Sequence, residues 1–260
     1  VKPDIVVDIG NSRIKWGWVV SQGIREMASF PHDDVVGWNH QLSEWRLHGF
    51  VKWAVAGVHP KQIGRFREWL DSQKSEVIEI TTAGLLIIED RLGIELAIDE
   101  PEQVGVDRLL TAWAARYRTP RLTSSVAITI GTAATVDFVD PQGRYVGGAI
   151  LPGLQMMARA LHEYTAKLPR IAIHPAPPAF VYGTKTEKAI ELGIASAILG
   201  AADQLVWDWA AGCRVPPKVF ITGGDRELFR DFIFTAKTSG IEIDPKLTLE
   251  GIRLAAEAMA

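Results

Sequence analysis

Residues 4–20, DIVVDIGNSRIKWGWVV, and residues 126–139, VAITIGTAATVDFV, share one construction. Each has a β-rich run, a turn of glycine and small polar residues, and a second β-rich run, which is the pattern of a hairpin. Aligned on the glycine they share the core x-Ile-Gly-polar-small, with Asp8 and Thr129 in the first position. A repeat at half-chain scale, even a weak one, confines the chain to architectures built from two related halves.

The intervening segments supply the rest of an α/β pattern. WAVAGV at 53–58 reads as a strand, Lys61–Gln73 as a helix through Ile63, Phe66 and Leu70, and SEVIEIT at 75–81 as a strand. Residues 105–117, GVDRLLTAWAARY, set Leu109, Leu110, Trp113 and Tyr117 on one helical face, with Asp107 in the first turn. The Pro, Ser and Thr of TPRLTSS at 119–125 predict a hinge, dividing the chain into 1–118 and 119–260. In the second half the hairpin is followed by Pro141-Gln142-Gly143 and a third strand, RYVGGAI. Pro152-Gly153 then opens a helix through Leu154, Met157 and Leu161, and a long helix spans Thr184 to about Ala210. KVFITGGDRELFRDF at 218–232 predicts a buried strand, the pair Gly223-Gly224, and a helix with Asp225 and Glu227 in its first turn. A closing helix covers Leu249 to Met259.

Composition removes several classes of function. A chain of 260 residues that is 47% apolar and 23% charged is not disordered. Its net charge of −3 and pI near 6.1 give no electrostatic footprint for nucleic acid or an anionic membrane, so a polyanion must be met locally. No continuous apolar run reaches the roughly 18 to 20 residues of a span. The start, VKPDIVVDIGNS, lacks the parts of a secretory signal, so a soluble cytoplasmic protein is expected. The lone Cys213 excludes an internal disulfide and a cysteine-based zinc site, and the nine Trp are scattered. His32, His40, His48, His59, His162 and His174 show no metal-ligand spacing and are expected in surface or packing roles.

Glycine directly follows a strand at Gly10, at Gly131 and at Gly223-Gly224. Without a Cβ in the way, backbone N–H groups there can approach a phosphate, although each turn alone is equally an ordinary turn. Asp8 ends an apolar strand, where a carboxylate must cap the turn or meet a cation, and a hydrated Mg²⁺ would satisfy it. Asn11, Ser12 and Lys15 could add an amide, a hydroxyl and an ammonium for a nucleotide's phosphates, while Lys15 reads equally as a solvated strand residue. Asp107-Arg108 is either a helix cap with a surface arginine or a site: a carboxylate to accept a hydroxyl proton and a guanidinium for a carboxylate or phosphate.

Taken together, Asp8-Ile9-Gly10-Asn11-Ser12 with Lys15, Gly105-Val106-Asp107-Arg108, and Gly131-Thr132-Ala133 with Thr135 and Asp137 resemble type III pantothenate kinase. Gly147-Gly148-Ala149-Ile150 with Pro152-Gly153, the run Leu161 to Pro169, Thr186 with Ala189, Ile190 and Gly193, and Gly223-Gly224 extend the resemblance in order along the chain. It implies two duplicated ribonuclease-H-like lobes of the actin-like ATPase fold with an active-site cleft between them, and a homodimer. It implies ATP- and Mg²⁺-dependent phosphorylation of pantothenate to 4'-phosphopantothenate, the first step of coenzyme A biosynthesis. By position, Asp8, Ile9, Gly10, Asn11, Ser12, Arg13, Ile14 and Lys15 would form the phosphate hairpin, with Asp8 holding magnesium through water. Thr132 would also contact ATP, and Gly223 and Gly224 would lie beside adenosine. Gly105, Val106, Asp107, Arg108 and Thr186 would hold pantothenate, with Asp107 as catalytic base.

The chain departs from the family at three places. The aspartate tied to a monovalent cation, K⁺ or NH₄⁺, is Thr129; the segment Ala97–Pro101 lacks a tyrosine common near the substrate; and Gly57 stands where serine is usual, a change expected to matter less. Three readings follow: an active pantothenate kinase with altered cation use, a kinase of another small hydroxylated acid, and a nucleotide-binding regulatory relative with little turnover.

Overall fold

A computed structural model describes residues 2–88, 91, 94–179 and 181–259. Both predicted hairpins form. Strand β1 (Ile5–Ile9) pairs antiparallel with β2 (Ile14–Val20), and β6 (Ser125–Ile130) with β7 (Ala133–Val139). The chain divides into two compact units, Val1–Tyr117 with Lys246–Ala260, and Arg118–Pro245.

The first unit adds β3 (Gly23–Phe30), β4 (Val51–Gly57) and β5 (Ser75–Ile80), in the order β3-β2-β1-β4-β5. Strands β1, β2 and β3 form an antiparallel meander, while β4 and β5 run parallel to β1. The second unit repeats this plan with β8 (Arg144–Pro152), β9 (Lys218–Thr222) and β10 (Gly240–Ile243): its order β10-β9-β6-β7-β8 is the same 3-2-1-4-5 arrangement read from the other edge. Duplication is therefore a property of the topology and not only of two short turns.

Helices cover these sheets: α1 (Val35–Glu44), α2 (Pro60–Asp71), α3 (Thr82–Ile87) and α4 (Val106–Tyr117) in the first unit, α5 (Leu154–Glu163) and α6 (Thr186–Ala211) in the second. Six of the nine tryptophans converge in the first unit. Trp16 on β2 lies with its ring 4.9–6.5 Å from those of Phe30, Trp38, Trp45, Trp53, Phe66 and Trp69. Each such buried large side chain contributes on the order of 1.5–3 kcal/mol, which ties β2 and β4 to the helices packed on them. The second core joins Val126, Ile128, Val136, Val219 and Ile221 of the sheet to Ile190, Ile194, Ile198 and Val206 of α6.

Five elements differ from the sequence expectation. Strand β3 and helix α1 fill a stretch to which the sequence pattern assigns neither strand nor helix; the strand carries an irregular inside-outside pattern and the helix buries only Trp38. The helix expected after Gly224 is a four-residue 3₁₀ turn, Arg226–Phe229. Leu228 and Phe229 are buried side by side there, and Phe229 meets Phe232 and Phe234, so consecutive apolar residues close a turn and no helical stripe develops. Helix α6 is by length and composition apolar enough to cross a membrane, contrary to the expectation that no such segment exists; its buried residues belong to the core of the second unit. The closing helix α7 (Leu247–Ala258), expected with the second half, belongs to the first unit and packs on α4. Gly251 makes this possible, because a Cβ there would stand 2.1 Å from the Leu110 carbonyl oxygen, and the Thr111 and Thr248 hydroxyls bond at 2.8 Å across the contact.

Candidate functional site

At the end of β1, Asp8 is 7% exposed and sits directly across the ladder from Lys15, whose ammonium is 3.8 Å from its carboxylate. The strand is apolar because it is central in the sheet, so its one carboxylate is held in a low-dielectric setting. Burial pushes the Asp8 pKa up, Lys15 pulls it down, and the nearby Asp107 pushes it up again. Asp107 is brought there by the first turn of α4. Burial raises its pKa most, against the Arg108 N–H, the Arg108 charge and Lys15, which lower it. Its Oδ1 accepts from the Arg108 backbone N–H at 2.9 Å, and a Cβ on Gly105 would stand 2.7 Å from that oxygen. Gly105 is thus small because the carboxylate occupies its side-chain space. Asp8, Lys15, Asp107 and Arg108, read from separate motifs, form one charged group in the first unit. Lys15 is an ion-pair partner here, so its reading as a merely solvated residue is set aside.

The turn between β1 and β2 is closed by the Gly10 N–H donating to the Arg13 carbonyl at 3.1 Å. Asn11, Ser12 and Arg13 are exposed, whereas Ile9 and Ile14 are fully buried, leaving only backbone for the site. The Arg13 guanidinium donates to the Ser29 hydroxyl at 2.7 Å and to its carbonyl at 2.8 Å, so this arginine braces the hairpin on β3. On the other side, His32 Nε2 lies 2.9 Å from the Gly10 carbonyl oxygen, and the His59 ring stands 5.9 Å from that of His32. Histidines expected only on the surface or in packing therefore include one that touches the turn.

In the second unit the Gly131-Thr132 turn repeats the arrangement, with the Gly131 N–H donating to the Ala133 carbonyl at 3.0 Å. Thr132 is exposed, and its carbonyl accepts from Gly153 N–H at 3.0 Å, at the start of α5. Gly223, with φ +100°, crosses so close to β6 that a Cβ would lie 2.1 Å from the Ile130 carbonyl oxygen. That oxygen accepts from Asp225 N–H at 3.0 Å. Gly223-Gly224 and Thr132 therefore lie at the same end of the sheet. Gly57 is their counterpart in the first unit: a Cβ there would lie 2.9 Å from the Ile9 carbonyl, which accepts from Val58 N–H at 3.1 Å. Gly57 thus permits a close approach of β4 to β1. Thr186 is exposed at the first residue of α6.

Thr129 pairs with Thr135 on one side and Thr222 on the other, which sets three hydroxyl-bearing residues in a row across adjacent strands. The Thr135 hydroxyl is buried without a hydrogen-bond partner. Asp137, one step along the same face, accepts from the Tyr145 hydroxyl at 2.7 Å. Among the described residues no group of three or more His, Cys, Asp or Glu could hold a metal ion. The charged group of the first unit offers Asp8 as its hard oxygen donor for a cation that keeps most of its water.

A sequence profile of type III pantothenate kinases matches residues 5–208. The chain is 30% identical to the type III pantothenate kinase of Dehalococcoides mccartyi, over 96% of this chain and 95% of the relative. It is 31% identical to that of Rhizorhabdus wittichii, over 95% of each. Among solved structures it is similar to a protein of Campylobacter jejuni described as a conserved Baf family transcriptional activator, with TM-score 0.59, 18% identity and 97% of each chain covered. It is also similar to the activator of 2-hydroxyisocaproyl-CoA dehydratase from Clostridium difficile with bound ADPNP, with TM-score 0.53, 15% identity and coverage of 98% of this chain and 95% of that one. At these identities the structural likeness speaks to the fold.

Proposed function

The chain belongs to the type III pantothenate kinase family, and on that premise we propose how its residues divide the work of phosphorylating pantothenate. It is an ATP-dependent kinase of two ribonuclease-H-like lobes in the actin-like ATPase fold, and its product feeds coenzyme A biosynthesis. Phosphoryl transfer needs an oriented alcohol, a proton acceptor and compensation of phosphate charge.

Asp107 accepts the proton of the pantothenate hydroxyl. Its raised pKa supports this, since a carboxylate of ordinary acidity is a poorer base near neutrality. Gly105 and Val106 shape the wall beside it, Arg108 meets the polar end of pantothenate, and Thr186 adds a contact. The amides of residues 8–15 and the Lys15 ammonium hold the phosphates, with Arg13 acting through its backbone. Thr132 reaches ATP, and Gly223-Gly224 give adenosine a surface without side chains. A magnesium ion fits the buried carboxylate of Asp8 through water, and when bound it would neutralise phosphate charge. Neutral oxygens at Thr129 and Thr135 suit a weakly held monovalent cation.

We further read the kinase as a cytoplasmic homodimer. Tyr164, Val181, Tyr182 and Trp207 of the second unit, each more than half exposed, are large apolar side chains that a second copy would cover.

The observation that carries the catalytic reading is the pair of carboxylates, Asp8 buried and Asp107 half-buried, that interact with Lys15 beside a glycine turn. ADP release with and without pantothenate, in sodium, potassium and ammonium buffers, tests it. Pantothenate-dependent release is expected. ATP binding without such release would favour the regulatory reading, which the uncharged Thr129 motivates, and release with other hydroxy acids alone would shift the acceptor.

A further inference from the structure

The phosphate hairpin depends on the direction of its amides, and Gly10 is its most easily rotated residue. In a planar trans peptide the carbonyl and the N–H point to opposite sides. Whatever holds the Gly10 oxygen therefore also aims the Asn11 N–H. His32 Nε2 is 2.9 Å from that oxygen. A carbonyl oxygen only accepts, so the imidazole must carry its proton on Nε2.

His32 is held in turn. Phe30, 7% exposed, ends β3 in the aromatic core and fixes the chain two residues before it. His59, whose ring centre is 5.9 Å away, backs it from the start of α2, where the Val58 N–H is bonded to the Ile9 carbonyl. The side chains of Asn11, Ser12 and Arg13 are exposed, which leaves the turn's outer side open to a ligand.

We propose that His32 is a positioning residue for ATP, locking the Gly10-Asn11 peptide so that the Asn11 N–H faces the phosphates. The inference rests on the reading of residues 8–15 as the phosphate hairpin. No proton transfer is involved. The histidine acts through the backbone, so it should govern ATP affinity more than turnover and leave pantothenate recognition unchanged.

His32→Ala and His32→Gln separate this from a packing role, because glutamine can present an N–H near the position of Nε2. In the full chain, calorimetric ATP affinity and the KM for ATP should weaken about fivefold in His32→Ala, the effect of one hydrogen bond. The KM for pantothenate and the melting temperature should stay near wild type, and His32→Gln should recover most of the loss. Unchanged ATP affinity in His32→Ala, or equal losses in both variants with a lowered melting temperature, would overturn the proposal. A long-range ¹H–¹⁵N spectrum of the unsubstituted protein should report the Nε2–H tautomer, and an Nδ1–H tautomer would also overturn it. Wild-type protein that binds no ATP would remove the hairpin reading and this inference together, whereas wild-type binding with no effect of His32→Ala removes only the inference.

Discussion

Gly251 on α7 lies against Leu110 on α4 so closely that a methyl group added to it would sit 2.1 Å from the Leu110 carbonyl oxygen and 2.6 Å from its carbon. Neither atom can yield without moving the helix that carries Asp107. Gly251→Ala should therefore cost about 3 kcal/mol and lower the melting temperature by roughly 10 °C, read by calorimetry. A variant that melts with the wild type would show that the two helices separate at little cost.

Asp107→Asn keeps the shape of the side chain and removes its ability to accept a proton. Turnover should fall by about a hundredfold or more with ATP affinity retained. Wild-type rates in this variant would take Asp107 out of the chemistry.

The pH profile follows from the same carboxylate. The base works only when ionised, and burial raises its pKa above 3.8 against the opposing Arg108 and Lys15. The acid limb of kcat/KM should therefore fall at a pH above the ordinary carboxylate value. Lys15→Met should move that limb higher still, because it removes a charge that lowers the pKa. A limb that stays put would separate Lys15 from the base electrostatically.

Asp8 makes a prediction about stability. Its folded-state pKa is raised, by burial first, so the folded state holds the proton more tightly than the unfolded chain does. The associated stabilisation is complete below about pH 3.8 and is lost as pH rises through the raised value. Without ligands, Asp8→Asn should melt higher than wild type at pH 7, with the gap closing toward pH 3.5, while phosphoryl transfer is impaired. Melting curves across that range decide it, and a lower melting temperature for the variant at pH 7 would contradict the burial cost.

Thr129→Asp tests the neutral row formed with Thr135 and Thr222. A carboxylate there should increase stimulation by potassium in the ADP-release assay. No response would mean that another group already meets the cation.

What could be read from the sequence was whatever lies within one hairpin or one helix. Asp8 and Lys15 could be matched because they flank a short turn, and the start of α4 exposed Asp107 through its apolar face. His32 could not be found this way: its approach to Gly10 is created by the return of β3, whose mixed burial gives no clean alternation. The tight packing at Gly57 was illegible for a related reason, since the atoms closest to a Cβ there come from Ile9, on a strand far away in sequence. The periodicity of α7 identified its apolar face but not its partner, and the six clustered tryptophans had no sequence period because they come from several elements.

Helix α7 also sets an order of events during synthesis. The second unit has all of its parts once Pro245 has been made, whereas the first, begun earlier, lacks the helix that covers α4 until residue 258 has emerged. The half of the chain that leaves the ribosome first is thus the half completed last, and until then the helix bearing Asp107 leaves an apolar face uncovered.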